Sequence, residues 1–296
     1  MKKILTNILF TFIFLAGLSL LLYPFISNEW NTYRQSKLIS SYEEIITDQV
    51  EESTIDYTTE RERAAAYNEA LLPFILPDSF AIAAMAEEPD AEYMACLNLT
   101  GDGMMGYVEI PGIDVKIPIY HTTAAEVLEK AAGHLEGSSL PVGGEDTHAV
   151  ISAHRGLPSA ALFTDLDKLE EGDHFLLYIL DEVLCYEVDQ IEVVEPSDTS
   201  KLGVENGKDL VTLLTCTPYG VNSHRLLVRG HRVPYVEEVV LEEEKKSTEI
   251  SVHTNYLLWV IVGLSITGVF ILILFIWERM RRRKARRRKA RRKTRN

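Results

Sequence analysis

The chain has 296 residues, with 30 Lys or Arg against 44 Asp or Glu and a net charge of −14. Two long apolar runs set aside, about 220 residues remain, room for one or at most two compact domains. The middle of the chain, residues 29 to 249, holds fifteen Lys or Arg against forty-three Asp or Glu, a net −28, which argues against nucleic acid and favours basic partners such as lysine-bearing proteins.

Ile4 to Ile26 is an uncharged run preceded by Lys2 and Lys3. It matches the roughly 20 residues that span a bilayer as a helix. Residues 1–28 read as a membrane anchor or a signal, and the lack of a clean small-residue cleavage pattern before Trp30 favours the uncleaved anchor. Residues 29–72 carry spaced apolar residues among charges and predict one or two amphipathic helices forming a stalk. Pro73, Pro77 and Pro89 then interrupt short apolar pieces, predicting an irregular, lid-like loop over 73–103. Residues 104–235 change to β texture, beginning with MGYVEIPGIDVKIPIYH, whose branched residues are broken by Pro111-Gly112. Further strands are predicted at His148–Ala153, Asp173–Leu180, Val183–Val194, Leu210–Thr215 and Arg225–Val233, with a helix over Glu126–Leu135. Short strands at close spacing predict a mostly β domain, a closed or nearly closed barrel with short helices. Residues 236–255 are acidic and read as a solvated linker. Tyr256–Trp277 is a second uncharged run bounded by aromatics, predicting a second transmembrane helix. The tail, residues 278–296, holds thirteen Lys or Arg. Basic flanks stay on the cytoplasmic side, so both termini are expected inside and the middle of the chain outside. Beside a membrane helix such a tail attracts anionic lipid rather than nucleic acid.

Cys96, Cys185 and Cys216 cannot all pair with one another, which leaves at least one thiol free or in use. Cys216 ends the strand-like run Val211–Thr215 and precedes the turn Thr217-Pro218-Tyr219-Gly220, so its thiol is expected at the rim of a sheet. A lone cysteine is more often a small buried hydrophobe. Here, however, Arg225 opens the returning strand nine residues later, and cross-strand neighbours would bring guanidinium and sulfur together. A cysteine nucleophile also needs a base or cationic partner. His154 is the best candidate among eight histidines, because it ends the apolar run Ala149–Ala153 and precedes a loop of small residues. No C-x-x-C, H-E-x-x-H or EF-hand spacing occurs, and neither metal nor cofactor is expected.

The run TLLTCTPYGVNSHRLLVRGHR, Thr212 to Arg232, resembles the T-L-x-T-C motif and following arginine strand of sortases. SAHRGLPSAALFTDLDKLEEGD, Ser152 to Asp173, is similar to the segment around their histidine, and Gly101–His121 and Gly133–Gly156 are similar to the pilin-polymerising class C branch. The resemblance implies a sortase-type barrel in which Cys216 attacks the Thr–Gly peptide of an LPxTG-like sorting signal and forms a thioester. It implies His154 as general acid and then base, Arg225 as the oxyanion or carbonyl ligand, and Thr215 as a substrate-positioning residue. The implied partners are pilins or other surface proteins bearing the signal, with a lysine or cell-wall amine as acceptor. Class C members also carry an Asp-Pro-aromatic lid. The nearest match is Leu76-Pro77-Asp78-Ser79-Phe80, with Ser79 where the pattern has proline. Asp78 would pair with Arg225 and Phe80 would cover Cys216. Alternatively, Asp78 starts a short helix and Phe80 belongs to the core.

Three other readings stay open on the sequence. A papain-like peptidase would also use Cys and His but would normally add an Asn or Asp. A housekeeping sortase would anchor proteins to the wall. A non-enzymatic, membrane-tethered β-domain would need none of the three polar residues.

Overall fold

The computed structural model describes residues 2–52, 57–71, 76–82 and 89–250, with isolated helical residues between 261 and 280. The chain divides into two compact units, residues 1–248 and 249–296. The expected second membrane helix and the basic tail lie largely outside the described residues. Among those described, one helix is long and apolar enough to cross a membrane, over Leu9–Thr47. It belongs to α1 (Lys2–Glu52), which is followed by α2 (Tyr57–Ala70), α3 (Ser79–Ile82) and α4 (Ala91–Ala95).

The barrel follows: β1 (Met104–Ile110), β2 (Val115–His121), α5 (Ala125–Leu128), β3 (Ala132–His134), β4 (Thr147–Ser152), β5 (His174–Ile179), β6 (Glu182–Val194), β7 (Asp209–Thr217) and β8 (His224–Val233). It closes in the order β1-β2-β3-β4-β7-β8-β6-β5, the closed barrel that the strand spacing predicted. The β4–β7 and β2–β3 pairs are parallel and the other pairs antiparallel. Strands β1, β4, β6 and β7 therefore run toward one end, the rim, and β2, β3, β5 and β8 run away from it toward the base.

Side chains alternate across each strand. Ala149 and Ile151 of β4, Val211 and Leu213 of β7, and Leu226 and Val228 of β8 enter the main core, alongside Phe175, Leu177 and Tyr186. The opposite face is also buried: Val150, Leu214 and Leu227 form a second cluster with Leu76, Leu135 and Leu202. A barrel's outer face is buried only if something lies on it. Here the cover is the segment around Leu76 and the β6–β7 connection.

Four local expectations change. The helix expected over Glu126–Leu135 is confined to α5, because residues 132–134 are drawn into β3, which bridges β2 and β4. A Cβ at Gly133 would lie 2.3 Å from the Thr122 carbonyl oxygen, so this close approach requires glycine. The expected stalk is instead packed along the barrel. Gln35 Nε2 donates to the Lys130 carbonyl at 2.8 Å, and Tyr42, 1% exposed, donates to the Met105 carbonyl and accepts from Leu180 N. The end of the lid-like segment is core, with Tyr93, Cys96 and Leu97 wholly buried. The acidic linker is largely helix α6 (Glu237–Ile250). It docks through Val240, packed on Leu176 and Cys185, and through buried Glu243, which accepts from the His174 backbone N–H and lies 2.8 Å from His174 Nδ1.

Candidate active site

Cys216 lies one residue from the end of β7 and faces Arg225 of β8 directly across the ladder. Opposed residues in an antiparallel pair share a face, with Cβ atoms about 5 Å apart. On the other side, Ser152 of β4 is level with Leu214 of β7. Two further residues bring His154 to the level of Cys216. Three groups distant in sequence thus lie at one rim, where β4 and β7 end and β8 begins. The backbone there is fixed by Ala153 N–H donating to the Leu214 carbonyl at 3.1 Å and Phe163 N–H donating to the His154 carbonyl at 3.1 Å.

Asp78 takes Arg225 in a two-pronged pair, with Nε to Oδ1 at 2.6 Å and Nη2 to Oδ2 at 2.7 Å. Both side chains are 11% exposed. Arg225 Nη1 donates to the carbonyls of His224 and Asn222. Phe80 fills the gap between the polar groups: its ring centroid is 5.1 Å from that of His154 and 5.1 Å from Arg225 Cζ. Asp78 also starts α3, accepting from Ala81 N–H through Oδ2 at 3.1 Å. Both sequence alternatives for Asp78 therefore hold at once, since it starts a helix and grips the arginine.

Ser79 explains itself in this setting. It is fully buried, and its hydroxyl accepts from Ser152 Oγ at 2.8 Å. A proline there could not meet the Ser152 hydroxyl, which sits two residues before His154. Leu76 is the apolar plug, buried among Leu135, Val150, Leu202, Leu214 and Leu227. Beyond it, α2 and the loops before β4 and β7 bound a cleft of about 990 Å³ lined by Asn68, Leu76, His148, Leu202 and Val204.

Thr215, expected to position substrate, lies one residue before Cys216 in β7. It points away from the face of Cys216, is completely buried, and donates to the Ala153 carbonyl at 2.7 Å. It acts on the backbone that carries His154. The sequence reading also missed Arg155. Its Nη1 donates to Thr217 Oγ1 at 3.1 Å, its Nε donates to the Thr164 carbonyl at 3.0 Å, and it pairs with Asp167, tying the loop after His154 to the end of β7. The adjacency of Arg155 to His154 was the available signal.

Electrostatics follow from the cover. Burial pushes the Cys216 thiol above its ordinary pKa, the Arg225 cation opposes this, and the Asp78 carboxylate adds to it. Burial holds His154 below its ordinary pKa, against a weaker pull from Glu129. The Asp78 hydrogen bonds raise Arg225 further. At neutral pH both shifts favour the uncharged forms, thiol for Cys216 and imidazole for His154. Among the described residues, no group of three or more His, Cys, Asp and Glu converges to hold a metal.

The sortase domain model matches residues 108–233, the span that carries Cys216, His154 and Arg225. Sortase D of Bacillus subtilis is 33% identical over 43% of this chain, and the match spans 63% of its length. Among solved structures, a Streptococcus pneumoniae sortase C described for its pilin substrate specificity is 47% identical, with 67% of this chain and 97% of that one covered and a TM-score of 0.59. The group B Streptococcus pilus island 1 sortase C2 is 49% identical, covering 61% and 100%, with a TM-score of 0.55. With that identity over nearly whole solved domains, and three polar groups gathered on one barrel rim, the chain belongs to the sortase family of cysteine transpeptidases, with class C sortases as its structural neighbours.

Proposed function

We propose that this protein polymerises pilins or related surface proteins outside the membrane. Cys216 gives its thiol proton to His154, and its Sγ attacks the threonine carbonyl of an LPxTG-like signal, forming a C–S bond. Arg225 stabilises the developing oxyanion. The Thr–Gly C–N bond breaks as His154 protonates the leaving amine. A lysine amine then attacks the thioester, His154 accepts its proton, and an isopeptide bond replaces the C–S bond. The acidic domain favours such a basic acceptor. The convergence of Cys216, His154 and Arg225 on one rim carries this reading. The proposed organisation keeps residues 1–28 and 256–277 as membrane helices, both termini inside, and 104–235 as the catalytic barrel.

The segment Leu76–Phe80 is the lid, and its closed position requires an opening step before substrate enters. Leu76-Pro77-Asp78-Ser79 itself spells L-P-x-S. Lying along the face that ends at Cys216, it marks the pocket of Leu76 as the one that takes the leucine of the signal. Helical backbone from Ser79 onward keeps the lid from presenting an extended scissile bond.

The test is incubation of the full chain, in detergent, with an LPxTG-type peptide and a lysine-bearing peptide, read by mass spectrometry. An acyl-enzyme that requires Cys216 and resolves to an isopeptide supports the proposal. Hydrolysis alone, or an adduct that survives Cys216→Ala, refutes it.

A further inference from the structure

Strand directions place Cys216, His154 and Arg225 at the rim, and α1 runs past the barrel from rim to base. Ala161 N–H, in the loop after His154, donates to Asn28 Oδ1 at 2.7 Å, and Ser27 Oγ donates to the Ser159 carbonyl at 3.3 Å. Fourteen residues beyond Asn28, Tyr42 meets Met105 and Leu180, at the base. The apolar run ends at Ile26, and two residues of helix rise only about 3 Å. The loop that carries His154 is therefore level with the end of the apolar run. Exposed Tyr23, Trp30 and Tyr33 bracket that level on α1, as aromatics do at a membrane interface.

The β7–β8 turn at the rim fits the same level. The β7–β8 turn exposes Tyr219 by 60% and Val221 by 68%. The Tyr219 ring lies against Gly156, where a Cβ would be 3.1 Å away, which joins the turn to the loop resting on α1.

We infer that the rim is a membrane-contacting surface, with Tyr219 and Val221 touching the bilayer interface and the Cys216 end of the barrel facing the lipid surface. The occupant is lipid, because Tyr219 and Val221 are apolar and exposed and the loop that Tyr219 rests on is hydrogen-bonded to α1 at the end of its apolar run. The inference rests on reading α1 as a membrane anchor, so its test separates the two.

A photo-crosslinking amino acid is placed at Leu20, Val221 or Glu145 of the full chain in phosphatidylethanolamine–phosphatidylglycerol vesicles, and lipid adducts are measured. Leu20 lies in the apolar run and Glu145 in the exposed turn at the base. Adducts at Leu20 and Val221, with background at Glu145, are expected. Adducts at Leu20 with none at Val221, or equal adducts at Val221 and Glu145, overturn the inference and leave the anchor intact. Background at Leu20 overturns both.

Discussion

Replacing Asp78 by alanine removes both acceptors of the Arg225 fork while leaving Leu76, Ser79 and Phe80 in place. Both partners are 11% exposed and the two contacts are 2.6 and 2.7 Å, so this is a charge-assisted bidentate pair shielded from solvent. Hydrogen bonds to charged groups are worth about 1.5–3 kcal/mol net. At 1.4 kcal/mol per factor of ten, the ratio of closed to open lid should fall about 10- to 150-fold. Arg225 does not remain as a stranded buried charge, because the departing lid readmits water. The assay is the rate of iodoacetamide alkylation of the full chain, with adducts mapped to Cys216, beside hydrolysis of a sorting peptide. Both should rise by about tenfold or more, up to the point where the lid is mostly open. The alkylation profile should also move to lower pH, because burial and Asp78 both raise the Cys216 pKa and both effects are lost. An unchanged rate and profile would refute a closed lid held by this pair.

Three further outcomes are expected. Reaction requires thiolate and imidazolium together, while the structure shifts Cys216 up from 9.0 and His154 down from 6.5. The pH profile of kcat/KM should therefore be a bell limited on the acid side by His154 and on the alkaline side by Cys216, with limbs further apart than those values; limbs in the reverse assignment, traced by the His154→Ala and Asp78→Ala variants, would contradict the site electrostatics. Arg225→Lys keeps the charge but loses the fork, so thiol alkylation should quicken while peptide turnover falls at least tenfold, a split that a merely structural arginine would not produce. Glu243→Gln weakens the dock of α6 on His174 by about 1–3 kcal/mol and should lower the melting temperature by about 2–12 °C, measured by calorimetry, with little change in peptide hydrolysis.

Much of the candidate site was legible in the chain because polar groups at strand ends leave a local trace. Cys216, His154 and Arg225 each adjoin an apolar run that meets a turn, and a strand pattern of period two needs no partner to be recognised. The long apolar helix was equally plain, since about twenty uncharged residues have few other uses. Pairing decided the remainder. Thr215 and Cys216 must point to opposite faces, but only the lie of β7 between β4 and β8 determines which of them faces the lid. Residues 132–134 have the local character of a helix end, yet they form a strand because the barrel needs a bridge between β2 and β4. Ser79 looked like a departure from a motif until Ser152, seventy-three residues away, supplied its partner. Whether residues 30–47 stand free as a stalk or lie along the barrel depends on Gln35 and Tyr42 finding backbone partners in distant segments. Periodicity and punctuation are properties of neighbours in sequence, and a sequence displays them directly. Register, the docking of Leu76–Phe80 on the barrel and the level of the rim along α1 are properties of neighbours in space, and only the tertiary structure decides them.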